Sequence, residues 1–422
     1  MGKLAAFTAG LLASVLALAV AGLLVFQPTR TPRPADTGFR LYQPQTLAPA
    51  LTTASAHASV GEVARLSLAE RIRSLLIVTK PGTDPASLHA FTDSAGAAGF
   101  ILMKQNIPAT AAELTQLTTA IAGPQAFPRL IAIDEEGGDV TRLPYDSFAG
   151  AKTLRDTPVE ETATAFSQRG FLLKSVGATL NFGIVADVTS DPRSFIYSRS
   201  FGSEGTTVAQ RVSAAVKAEQ SAGVMSTLKH FPGHGAAPGD SHTSIPVTSM
   251  DYASWLSADA QPFIAGIKAG ARAVMFGHLS YDAVDGQPAS LSPTWHRILR
   301  DQLGFTGLAV TDDMLMLQRT KLPEFSDPNE NAIRAIAAGN DLLVYVFGET
   351  PESNGVNVEQ LVSSIVQAVQ SGRISEQRIN EAALRVMTAR RTLSVDAKKD
   401  MQVCNIYCTV GYSLLFPHST HQ

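Results

Sequence analysis

Lys229-His230-Phe231-Pro232-Gly233-His234-Gly235, with Asp240-Ser241-His242 close behind, gathers a lysine, three histidines and an aspartate into fourteen positions. Gly233, Gly235 and Gly239, with Pro232 and Pro238, argue against a regular helix or strand there. Ionisable side chains on an irregular segment point to a site more often than to a core. Such a loop binds a metal, moves protons or grips a polar ligand. Zinc is the weaker reading. H-E-x-x-H is missing, and His230 and His234 are flanked by Gly and Pro instead of sharing a helical face. No metal and no cofactor are therefore expected.

Two acidic positions could complete the chemistry. Asp312 directly follows the apolar run Leu308-Ala309-Val310-Thr311. Neighbouring strand residues face opposite ways, so Asp312 is expected to face the site and Asp313 to cap the helix starting at Met314. Asp134-Glu135-Glu136-Gly137-Gly138 ends a second apolar run, with Arg142 eight residues beyond Asp134. A carboxylate beside a guanidinium can grip neighbouring sugar hydroxyls in fixed geometry; a local salt bridge at a turn is the plainer alternative. Cleaving a glycosidic bond needs an acid and a nucleophile or base on opposite sides of it. Asp312 suits the nucleophile. His242 suits the acid/base, because Asp240 beside it would fix the imidazole tautomer and stabilise its protonated form.

The elements that must place these groups alternate. Apolar runs at 99–103, 130–133, 178–182, 223–228, 273–277, 308–311 and 341–346 read as strands. Helical spacing fills 66–76, 110–121, 160–176, 208–222, 255–269, 293–303, 329–338, 358–371 and 375–393. Several strands end in a polar group: Asp134, Lys229, His278 and Asp312. Converging strand ends of this kind describe a (β/α)8 TIM-type barrel with its chemistry at the carboxyl face. A doubly wound open sheet is the alternative, but Lys104-Gln105-Asn106 stands where its Gly-rich phosphate loop would follow the first strand.

The 422 residues carry a net charge of −3 and no long basic block, which argues against a nucleic-acid partner. Leu4 to Phe26 run without a charge and are long enough to span a bilayer. Residues 1–26 are thus expected to be a signal peptide or membrane anchor, with the rest exported to the periplasm or held at the membrane. A Pro/Thr/Ala-rich linker is expected over 27–62, one barrel over 63–393 and a divergent tail over 394–422. Cys404 and Cys408, the two cysteines, both fall in that tail, so no disulfide framework is expected.

Lys229 to Gly235 with Asp240-Ser241-His242 resembles the KHFPGHG…DSH signature of glycoside hydrolase family 3, in its bacterial β-N-acetylglucosaminidase branch. Asp134 to Gly138 with Arg142, Asn181 to Asp187, Arg199-Ser200-Phe201-Gly202, Met275 to His278, Pro288 to Ser292 and Thr311-Asp312-Asp313 resemble further motifs of that family in order. The resemblance covers about residues 65 to 393. It implies Asp312 as nucleophile, His242 as acid/base and Asp240 as its partner. It implies Asp134, Arg142, Arg199, Lys229, His230 and His278 around the sugar, and a retaining, metal-free mechanism. Asp139 departs from the pattern, standing where the family commonly has a basic residue. The expected activity is release of terminal β-linked N-acetylglucosamine from peptidoglycan- or chitin-derived oligosaccharides by a monomer. β-Glucosidase-type or phosphorolytic chemistry and a non-catalytic sugar binder are the alternatives.

Overall fold

The computed structural model describes residues 53–124 and 127–393. The expected signal or anchor (1–26), most of the linker and the tail (394–422) lie outside the described residues. Among the described residues, no helix is long and apolar enough to cross a membrane.

Eight parallel strands close into a barrel: β1 (Leu76–Thr79), β2 (Gly99–Leu102), β3 (Leu130–Ile133), β4 (Leu180–Val185), β5 (Met225–Phe231), β6 (Ala273–Phe276), β7 (Leu308–Asp313) and β8 (Leu342–Val346). Each pairs with its neighbours in sequence, and β1 closes the ring on β8. The strands read as near-continuous apolar runs because helices cover the outside and side chains fill the inside. All of β1, β2, β3 and β6 is buried.

Local chemistry sets the helix ends. Thr110 and Ser67 close capping boxes with Glu113 and Glu70. Asp84 caps a helix with proline in its first turn, Pro85–Ala95. The long helix Gly205–Ala222 stops at Gly223, whose φ of +85° only glycine adopts without strain.

The structure corrects four boundaries. Residues 66–76 are not one helix: Leu68–Arg73 is helical and Leu76–Thr79 is the first strand. Four apolar residues are too short to show a period, so the strand blends into the helical spacing before it. The expected linker ends early, because a helix begins at Thr53 and Val63 joins the core. The segment 255–269 breaks at Ala258 into Tyr252–Ser257 and Ala260–Lys268. Finally, β5 continues through Lys229 and His230 to Phe231, so both polar residues lie on the strand itself.

Phe231 anchors the end of that extension. Its ring packs edge-on against Trp255, Phe263, Phe276 and Trp295, with centroids 5.0 to 5.9 Å away. Trp255 donates its indole N–H to the Pro232 carbonyl at 2.8 Å, and the Tyr281 hydroxyl donates to the Gly233 carbonyl at 2.7 Å. The strand end is therefore tied down where the site begins.

Barrel closure also needs Gly99. A Cβ there would lie 2.6 Å from the Leu130 carbonyl oxygen and 2.9 Å from the Leu130 Cβ. Gly99→Ala is expected to cost about 1–3 kcal/mol by forcing β2 from β3, measured as a lower urea midpoint with an unchanged slope.

Candidate active site

A cavity of about 420 Å³ opens at the carboxyl ends of the strands. Asp134, Arg142, Arg199, Lys229, His230, His242 and Asp312 all line it. Residues from four separate strand ends and their loops thus meet in one place. The volume falls in the range of small-ligand pockets.

One wall is a buried charge cluster. The Lys229 ammonium lies 2.9 Å from Asp134 Oδ1 and 2.7 Å from Glu136 Oε1. Arg199 grips Glu136 through two parallel bonds, at 2.9 and 2.7 Å. Arg142 reaches Asp134 Oδ2 at 3.2 Å. Burial opposes ionisation of Glu136, but the Arg199 and Lys229 charges outweigh it and hold the carboxyl far below its usual range. Burial likewise works against the Lys229 ammonium, and Asp134 and Glu136 overcome it.

Behind this wall stands Asp187, fully buried. Its Oδ1 accepts from the His230 and His234 amides at 3.1 and 2.6 Å, and its Oδ2 lies 2.8 Å from His230 Nδ1. That pairing leaves His230 Nε2 for the cavity side, 3.4 Å from Arg199 Nη2.

Asp312 ends β7 on the same cavity. Burial raises the cost of its charge. His230, His278, the Asp313 amide and Lys229 offset that cost and keep the carboxyl below its ordinary value. Asp313, the next residue, also borders the cavity, but both of its carboxylate oxygens are engaged by the protein. Its Oδ1 accepts from the Leu315 and Val346 amides, at 3.2 and 3.0 Å, which is the helix-capping position expected for it. Its other oxygen meets Arg319 at 3.1 Å.

His242 reaches the cavity from a loop. Its Nδ1 lies 2.7 Å from Asp240 Oδ1, and its amide donates to the same oxygen at 3.0 Å. The pair is about half exposed, His242 at 51% and Asp240 at 44%. Burial pulls the Asp240 carboxyl up, but the His242 amide and ring outweigh it and lower it.

His278 departs from expectation. It is fully buried, with Nδ1 2.6 Å from Ser290 Oγ and Nε2 3.1 Å from the Asp313 carbonyl. Both nitrogens are taken by the protein, and His278 is not among the residues lining the cavity, so it sits beneath the β7 end. Glu136, Phe195, Asp139 and Arg319 also line the cavity. Glu136 stood in the acidic motif, but its partners Arg199 and Lys229 lie far along the chain. Phe195 carried no local signal.

Residues 69–389 match the model of the glycosyl hydrolase family 3 N terminal domain. The chain belongs to glycosyl hydrolase family 3. Family 3 relatives include beta-hexosaminidase A of Pseudoalteromonas piscicida, 30% identical over 322 residues, 70% of this chain and 53% of that protein. A secreted glycosyl hydrolase of Arthroderma benhamiae is 28% identical over 342 residues, covering 78% of this chain and 95% of that one. Among solved structures, a family 3 beta-N-acetylglucosaminidase from Paenibacillus sp. str. FPU-7 aligns at 30% identity with a TM-score of 0.70, covering 78% of this chain and 63% of that one. The chain thus spans about half the Pseudoalteromonas protein and under two thirds of the Paenibacillus one.

A polar network supports the acidic loop from below. Asn181 bonds both the amide and the carbonyl of Glu135 at 3.0 Å and donates to Glu219 Oε1 at 2.6 Å. Burial pushes Glu219 up to about 8. Burial, with Asp146 adding to it, pushes Glu135 up to about 8, and burial pushes Asp259 up to about 7. His234 and His296 are pushed down to about 4 by burial.

The sign of the linkage follows. The unfolded chain's two histidines are still about half protonated near pH 6.5 and lose that proton by about pH 7.5, an opposing slope smaller than that of the three acids. The three raised acids still hold protons in the native state that the unfolded chain has released, so their contribution is complete below about pH 4 and is lost as pH rises through 7 to 8. The thermal midpoint is expected to fall from pH 6.5 to 8.5, measured by circular dichroism at constant ionic strength; a rise would contradict these protonation states.

Proposed function

We propose that the protein is an exo-acting hydrolase that releases terminal non-reducing β-linked N-acetylglucosamine, with retention, from peptidoglycan- or chitin-derived oligosaccharides. Asp312 is the nucleophile, His242 the acid/base and Asp240 its orienting partner. The observation that carries this reading is that Asp312 and His242 line one small cavity whose remaining polar wall is Asp134, Arg142, Arg199, Lys229 and His230.

Two His–Asp pairs compete for the acid/base role. His230 with Asp187 is buried and faces a guanidinium, which suits holding a hydroxyl. His242 with Asp240 is half exposed, where a leaving group departs and water enters. In the first step an Asp312 oxygen bonds the anomeric carbon as the C1–O bond breaks, and the proton on His242 Nε2 goes to the departing oxygen. In the second, His242 takes a proton from water as the hydroxide oxygen replaces Asp312. The names of the beta-hexosaminidase and beta-N-acetylglucosaminidase relatives support the choice of sugar. Met103, Met316, Val344 and Val346 on the same cavity offer apolar contact for an acetyl methyl. A secreted relative and the apolar N-terminal run support export of the barrel.

Purified protein is expected to turn over aryl β-N-acetylglucosaminide and to release free sugar at the same rate with or without phosphate. Asp312→Ala should lower kcat/KM by at least about a thousandfold, the scale of losing an activated nucleophile. Preferential cleavage of aryl β-glucoside, or a sugar phosphate as product, would overturn the reading.

A further inference from the structure

The loop that carries His242 is fastened at Ser241. Asp240 is half exposed, and His242, Thr243 and Ser244 are exposed, yet Ser241 between them is buried. Its hydroxyl shares a 3.0 Å hydrogen bond with His234 Nε2. His234 is itself fixed, since its amide donates to Asp187, the carboxylate that orients His230. A second contact comes from the segment after β4. Phe195 meets the His242 ring edge-on at 5.1 Å and the His234 ring at 5.7 Å, with the Arg199 guanidinium 5.1 Å over its face.

We propose that His234 and Phe195 are positioning residues for the His242 imidazole. His234 pins the backbone next to it through Ser241, and Phe195 packs edge-on against the ring. Asp240 alone fixes only the tautomer and the local ring angle, because it rides on the same exposed loop. The link to the rigid strand end runs through Ser241 and His234. The Asp312 carboxylate and the wall of Asp134, Arg142 and Lys229 need neither contact, whereas Phe195 also lies under Arg199. The proposal rests on His242 being the acid/base.

Loss of the pin should therefore hurt only reactions that need proton donation. Aryl β-N-acetylglucosaminides with graded leaving groups separate this from a general structural defect. A dinitrophenolate departs without help, whereas methylumbelliferone needs more and an alkyl alcohol most. In Ser241→Ala, which removes a single hydroxyl, and in His234→Ala, kcat/KM for the dinitrophenyl substrate should stay within about twofold of the wild type. The value for the poorest leaving group should fall at least about tenfold, a fraction of the full general-acid contribution. Phe195→Leu should shift the series the same way on top of any loss through Arg199, and azide should trap glycosyl azide in the variants, as it should in His242→Ala. An equal loss on every substrate, or none on any, with His242→Ala steeply leaving-group dependent, would overturn the proposal. A flat series for His242→Ala would instead overturn the acid/base assignment beneath it. Ser241→Ala keeps the test decisive should His234→Ala fail to fold.

Discussion

A buried ammonium must be neutralised. Lys229 is 2% exposed, and it sits on a barrel strand where water cannot solvate it. An unpaired charge there would cost several kcal/mol, so two carboxylates from the β3 end must come to it. Asp134 and Glu136 do so, and Glu136 must then be balanced by Arg199 from beyond β4. Arg142 completes the set from the far side of the acidic loop. Three segments distant in sequence are thereby fixed relative to one another, and the shape of the cavity follows. Replacing Lys229, Glu136 or Arg199 leaves a buried charge on another of the five short of its balance. The proposed grip on the substrate and the stability of the loops are thus one arrangement.

The site divides into a rigid half and a looser half. The rigid half is buried: Asp187 fixes two histidines at once, and Asn181 ties Glu135 to the helix carrying Glu219. The looser half is the Asp240–His242 loop, half exposed and crossing the cavity mouth. That split matches the tasks. Sugar hydroxyls need fixed partners, whereas a group that protonates a leaving oxygen and then deprotonates a water must meet solvent.

Much of this was legible in the sequence where chemistry interrupts an apolar run. Asp134, Lys229 and Asp312 each stop such a run, and a parallel barrel turns all such stops toward one face. Asp240 and His242, two apart, announced their own contact, and Asp313 its capping role. What could not be read depends on long-range pairing. Strand β1 is four residues beside a helix and shows no period of its own. Glu136 is one of three consecutive acids, and only Arg199 and Lys229 single it out. His278 ends its strand like the others, yet Ser290 and the Asp313 carbonyl claim both ring nitrogens. Phe195 is an ordinary aromatic until His242 and Arg199 close around it. Extension of β5 through two ionisable residues contradicts its local composition, and the aromatic cluster around Phe231 anchors its end.

The central claim is that the Asp312 carboxylate bonds the anomeric carbon. An N-acetylglucosaminyl fluoride carrying a second fluorine at C5 slows release from a glycosyl ester more than it slows departure of fluoride, so the ester accumulates. Intact mass followed by peptide mapping should show one added sugar, on the peptide containing Asp312 and on that residue. Attachment at another side chain, or first-formed product with inverted configuration and no attachment at all, would contradict the account.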